Sequence, residues 1–190
     1  MASLPPRAVI GAEALAALAV PARLAILNHL LAAGPQTASQ CAPVVGETPS
    51  NCSWHLRALA KVGLVERVAG HEGDGRTRPW QAAAVGFELS DELGAAGDVA
   101  LTAFAGVDAD HADAMYRRHL ARRELLPEKW RRVSGANAYA LQLTADELDA
   151  LGERIDELVR PYVRSIRDDA PAGSEVVQVT LRAFPNPDVA

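Results

Sequence analysis

Two cysteines, Cys41 and Cys52, are the only thiols in 190 residues. That is too few to staple a chain of this size, and both fall in segments expected to be helical, so a reduced compartment is expected. No apolar run approaches the ~18 consecutive residues that a membrane helix needs. The weakly apolar start MASLPPRAVIGAEALAALAV contains two early prolines and a single Arg and reads as neither export signal nor anchor. The cytoplasm is the expected location and no membrane partner is expected. Also missing are a phosphate-binding glycine loop, a zinc-protease motif and any nucleophile, base and orienter set. The expectation is a protein that is not an enzyme, with no catalytic residue, no cofactor and no metal site.

Positive charge is scarce too, with a formal net charge of -5, which on its face argues against a polyanionic partner. Dividing the chain changes this. Residues 1–90 carry seven Lys/Arg against six Asp/Glu, a net +1, and the remainder carries -6. What matters for a polyanion is where cations cluster. Arg57, Lys61, Arg67, Arg76 and Arg78 all fall within residues 57–78.

Punctuation along the chain sets the expected elements. Leu15 and Leu18 with neighbouring alanines make a short apolar helix. Pro21 suits a first helical turn, and Leu24, Leu27, Leu30 and Leu31 recur at helical spacing until Gly34-Pro35 stops them. Thr37-Ala-Ser-Gln40 is a capping-box pattern opening a helix to about Val45. Gly46 supplies a turn, Thr48-Pro49 a cap and first residue, and Gly63 the end of the next helix. From Leu64 the period becomes two, with LVERVA and RTRPWQA flanking the loop HEGDG, which reads as a β-hairpin. Three helices, two joined by a tight turn, and then a hairpin is the order of a winged helix-turn-helix over about residues 11–89.

Two modules are therefore expected: residues 1–89 as a winged helix-turn-helix DNA-binding domain and 90–190 as an α+β dimerisation or regulatory domain. The fold class is α+β, mainly helical, with a helical/α+β C-terminal part. Residues 94–125 are mostly helix formers, with Gly97 and Gly106 as expected breaks. AYALQL at 138–143 alternates, and EVVQVTLRAF sets Val177, Val179 and Leu181 against Gln178, Thr180 and Arg182, as in a half-buried strand. Between them Thr144-Ala-Asp-Glu147 opens a helix whose Leu148, Leu151, Ile155, Leu158 and Tyr162 form a stripe that seeks a partner. Pro161 should kink or end it. The stripe fits either intramolecular core or a dimer seam.

On a helix over 49–62, Cys52, Leu56, Leu59 and Ala60 share one face and Ser50, Trp54, Arg57 and Lys61 the other. Short polar groups at the N-terminal end with cations farther along suit a recognition helix, whose first residues reach base edges while later cations meet phosphates. Asn51 and Ser50 are candidates for base contact, an Asn being able to pair bidentately with adenine. Trp54 either packs on a sugar or thymine methyl or fills the gap between helix and backbone. Arg76 and Arg78, two apart on one strand face, are placed to reach phosphates or the adjacent minor groove.

The stretch PARLAIL, the core SWHLRALAKVGLVE from Ser53 to Glu66, and the arginine-containing wing ending in PW resemble the ArsR (arsenical-repressor) family of winged-helix regulators. The resemblance spans about 75 residues. It implies a homodimer that binds an inverted repeat in double-stranded DNA, usually as a repressor released by a ligand, and it puts Ser50, Asn51, Ser53, Trp54 and Arg57 where that family enters the groove. Metal-sensing members carry cysteine pairs or His/Asp clusters. Here Cys41 and Cys52 read as small core residues without an obvious third ligand. His111 and His119, near Asp108, Asp110 and Asp113, read as a solvated helix start. A metal-responsive member using either pair remains an alternative, as does a winged helix that grips a protein instead of DNA. RRHLARRELLPEKWRR is either a second DNA-contacting patch or a solvated helix end. Trp80, Tyr116, Trp130, Tyr139 and Tyr162 are either scattered core aromatics or the lining of a small-molecule pocket, and no effector is named by the sequence.

Overall fold

A computed structural model describes residues 7–69, 78–90 and 92–189. Its order is β1 (Ala8–Ile10), α1 (Ala12–Leu18), α2 (Pro21–Ala33), α3 (Ala38–Val45), α4 (Pro49–Lys61), β2 (Val65–Arg67), β3 (Trp80–Ala82), β4 (Phe87–Leu89), α5 (Gly94–Arg122), α6 (Glu128–Val133) and α7 (Ala145–Val159). The fold is mainly helical, with two two-stranded sheets.

Local chemistry accounts for the helix boundaries. Pro21 occupies the first turn of α2, and Gly34 ends it at φ 82°. In α3 the Thr37 hydroxyl accepts from the Gln40 N–H while the Gln40 side chain accepts from the Thr37 N–H at 2.8 Å. Gly46, at φ 69° and ψ 27°, turns the chain in the left-handed region that side chains avoid, and so lets α4 begin within three residues of the end of α3. Thr48 then caps α4 by accepting from the Asn51 N–H. The α3–turn–α4 unit is thus fixed by two caps and one glycine.

One apolar core serves α1, α2, α4, the hairpin and the start of α5. Leu15, Ile26, Leu56, Leu59 and Leu64 are fully buried in it, beside Cys41 and Cys52, and each such large side chain contributes ~1.5–3 kcal/mol relative to exposure. Strand β2 pairs antiparallel with β3, Val65 opposite Ala82 and Arg67 opposite Trp80. The α2–α3 turn joins this hairpin: Gln36 and Trp80 exchange both backbone hydrogen bonds, at 2.9 and 2.7 Å. That double bond holds the hairpin in place beside the helix-turn-helix. Strand β1 pairs in parallel with β4, Ala8 opposite Phe87 and Ile10 opposite Leu89.

Three expectations for the C-terminal half are corrected. Helix α5 runs unbroken through Gly97 and Gly106 for 29 residues. Gly97 is buried where a Cβ would stand 2.5 Å from the Leu93 Cβ, so there glycine permits close packing instead of a break. Residues 138–143 and 175–184 form no strand; their alternating apolar side chains, Leu141, Val177, Val179 and Leu181 among them, are exposed and no ladder hydrogen bonds reach them. Alternation gives a segment the pattern for pairing but does not bring it to an edge, and neither segment reaches one of the two described sheets. The aromatic set also separates: Trp80 is buried in the N-terminal core, whereas Tyr116, Tyr139 and Tyr162 are exposed. Helix α7 forms with its capping box, Thr144 accepting from the Glu147 N–H, and passes into a 3-10 turn at Pro161. Among the described residues no single helix is long and apolar enough to cross a membrane.

Candidate nucleic-acid interface

Helix α4 presents two different faces. Cys52, His55, Leu56 and Leu59 are buried against the core. Ser50, Asn51, Trp54, Arg57 and Lys61 are exposed, and Ser53 is half-buried between them. The outward face spans the 13 residues of the helix, about 20 Å at 1.5 Å per residue. Its N-terminal end offers hydroxyl, amide and indole groups, and its C-terminal end two cations.

The amide of Asn51 is oriented. Its Nδ2 donates to Glu47 Oε2 at 2.9 Å, while its backbone N–H is taken by Thr48. An amide nitrogen carries two hydrogens, so the second hydrogen and the Oδ1 acceptor remain for an outside partner. Glu47 therefore decides which way that donor–acceptor pair faces. Trp54 stands 55% exposed, its ring edge-on to His55 at a centroid distance of 5.0 Å. Below it Arg23 of α2 places its guanidinium 5.1 Å from the ring centroid, an arrangement that holds a large exposed aromatic upright.

The hairpin adds a second group of cations. The Arg67 guanidinium lies 3.9 Å over the Trp80 ring and donates to the Arg78 carbonyl. Arg78 returns the contact, its Nε donating to the Val68 carbonyl at 2.7 Å. Burial first, then Arg78 and Arg57, press the Arg67 pKa down, so the guanidinium of α4 and those of the hairpin lie within electrostatic reach of one another. Of the residues picked from the sequence, the structure brings Arg57 and Arg78 into this cluster, and it ties Arg78 back to the hairpin base. Arg76 and the loop HEGDG lie outside the described residues. Arg23 was not foreseen from the sequence as part of this surface, and Arg67, counted among the clustered cations of residues 57–78, was not placed among the contact residues. Nothing in their spacing joins them to α4; Trp54 and Trp80, the two rings they cover, are the only cue.

The metal candidates are placed as follows. Cys41 and Cys52 are fully buried. Burial, then the neighbouring Cys52, pushes the Cys41 thiol up to about 11, and burial followed by Glu47 raises Cys52. A soft metal binds thiolates, which this environment disfavours. His111 borders a cavity of about 230 Å³ with Asn28, Asp108 and Thr180, and its Nε2 has no partner among the described residues. His119 instead stacks on Tyr116 at 6.0 Å. No group of three or more His, Cys, Asp or Glu that could hold a metal occurs among the described residues.

A family model described as a helix-turn-helix domain matches residues 18–68, from the end of α1 to just past β2. The match takes in α2, α3, α4 and the first hairpin strand, and it supports a DNA-binding transcription regulator. No curated protein matches the chain.

Proposed function

We propose that the chain is a sequence-specific transcription regulator of the ArsR type, a repressor that binds an inverted-repeat operator as a homodimer. The observation that carries this is the outward face of α4. A 13-residue helix with its Cys52, Leu56 and Leu59 side chains in the core cannot turn, so Ser50, Asn51, Trp54, Arg57 and Lys61 stay presented to one partner. A major groove about 12 Å wide accepts such a helix.

In this reading Asn51 and Ser50 meet base edges, with Ser53 beside them. Trp54 packs on a sugar or a thymine methyl, and Arg57 and Lys61 neutralise phosphates. The hairpin contributes Arg78 and Arg76 to the flanking backbone. Two heads about 34 Å apart read successive major grooves, residues 1–89 acting as the head and 90–190 as the part that pairs two copies and takes the regulatory input. The acidity of that second part keeps it off DNA and leaves the head to set the register.

Arg57→Ala tests the assignment. Each phosphate-bound cation adds about 0.9 to the slope of log K against log salt, so a dimer losing two should lose about 1.8. Stability should stay within about 0.5 kcal/mol, because Arg57 is an exposed side chain. A variant that binds promoter fragments with an unchanged slope removes this face from the interface. Recovery of a stoichiometric protein partner with no footprint on genomic DNA would replace the reading with a protein-gripping winged helix.

A further inference from the structure

Among the described residues, none after Ala100 is buried, and sixteen of the twenty-one exposed large apolar side chains lie beyond that point. A stretch of about 90 residues without an interior of its own does not offset its ordering entropy. The N-terminal half of α5 packs on α1 and α2 through Ala100, Leu101, Phe104 and Val107. Residues 108–122 carry the helix on for about 22 Å at 1.5 Å per residue, with Asp108 and His111 still bordering a cavity beside Asn28 of α2, and lead into the segment 117–132, which carries seven Lys/Arg against two Glu, a net +5.

Helix α7 is the opposite case. It has six Asp/Glu against one Arg, a net -5, and not one buried residue. An ion pair between Arg7 and Asp156 ties it beside β1. Between α7 and the β1–β4 sheet runs an open cleft of about 630 Å³ lined by Val9 and Leu89 and by Glu88, Glu92, Asp149 and Glu153. Four carboxylates line it and no described cation is in the lining, while Val9 and Leu89 are 63% and 44% exposed. The cleft is thus mainly acidic, with two exposed apolar side chains in its lining, and no described residue covers it.

We propose that this cleft receives the basic segment 117–132 of a second copy, Leu120 and Leu125 resting on Val9 and Leu89 and the arginines meeting the carboxylates. The charges are opposite in sign, a net +5 on the segment against the four carboxylates that line the cleft. Leu120 and Leu125 are 49% and 83% exposed, apolar side chains available to meet Val9 and Leu89. Under two-fold symmetry the contact forms twice, each copy giving its segment and receiving its partner's. The proposal names the surface by which the homodimer proposed above would close.

The test is charge reversal and its rescue in the full chain, read as mass by sedimentation equilibrium. The wild type should weigh twice the 20.1 kDa chain. Arg118→Glu with Arg122→Glu should weaken the dimer by about tenfold or more, since like charges brought together oppose association, and Glu88→Arg with Glu153→Arg should do the same. All four reversals together should restore it. Circular dichroism separates loss of pairing from loss of fold. A dimer indifferent to either pair, a folded quadruple variant that stays monomeric, or a wild type monomeric at every concentration overturns the proposal. If Arg118→Glu with Arg122→Glu keeps its dimer mass but loses affinity for operator DNA, the basic segment meets phosphates; the surface assignment then falls while the DNA reading stands. If the rescue succeeds in a chain that binds no DNA, the outcome is the reverse.

Discussion

Replacing Glu47 by Ala separates base reading from phosphate attraction at the same end of α4. The carboxylate accepts from Asn51 Nδ2 at 2.9 Å and so holds the amide in one of two orientations. A net hydrogen bond of about 1 kcal/mol corresponds to about a fivefold preference for that orientation. A bidentate contact to the correct base discriminates by ~1–3 kcal/mol, of which loss of the orienting bond should remove about 1. The same substitution deletes a negative charge beside DNA phosphates, so affinity for random duplex should rise. Folding should change little, because the cap on α4 belongs to Thr48 and not to Glu47. The assay selects a preferred site from random duplexes with the wild type, then measures the affinity ratio between that site and its single-base variants for both proteins. The expected result is a ratio about fivefold smaller at one adenine position, together with tighter non-specific binding. An unchanged ratio, or weaker non-specific binding, would refute the assignment of Asn51 and Glu47.

Two further outcomes follow from buried titratable groups. Burial lowers the pKa of His29, His55 and His111 below the usual 6.5; at His55 Arg23 lowers it further while Glu47 opposes. The folded state therefore binds protons less readily than the unfolded one, so stability is full above about pH 6.5 and declines as pH falls toward the folded values. The midpoint of thermal unfolding should drop between about pH 7 and 5, and less steeply in His55→Gln; an equal slope in both would remove His55 from the account. With Cys41 raised to about 11 and both thiols at 0% exposure, alkylation at pH 8 should be slow in the native protein and complete in denaturant. Rapid native alkylation would place the thiols at a reactive surface.

The helix-turn-helix was legible because its instructions are local. Thr37 with Gln40, Gly46 and Thr48-Pro49 each act within four residues, and the two faces of α4 follow from period alone. Strand β1 was not legible, since three residues become a strand only through β4, about 80 positions away. The glycines of α5 misled because Gly97 answers a packing constraint from Leu93 that is visible only in three dimensions. The segments around Leu141 and Val179 show the converse, a strand pattern that one chain does not complete. Of the candidate interface, the residues on α4 could be read, but Arg23 and Arg67 join it through stacking on rings from other elements, which no spacing rule encodes.

Helix α5 has a mechanical consequence. It packs on α1 and α2 at one end and ends in cations at the other, the layout of a lever with its fulcrum near Ala100 and Phe104. Measured from Ala100, the 22 residues to its end at Arg122 make an arm about 33 Å long at 1.5 Å per residue, and a tilt of about 5° would carry the tip roughly 3 Å. That displacement rivals the rise of a base-pair step. The same helix leans on α2, which carries Arg23 beneath Trp54. Any event that re-seats the far end of the arm would therefore be felt as a change in the bearing of α4.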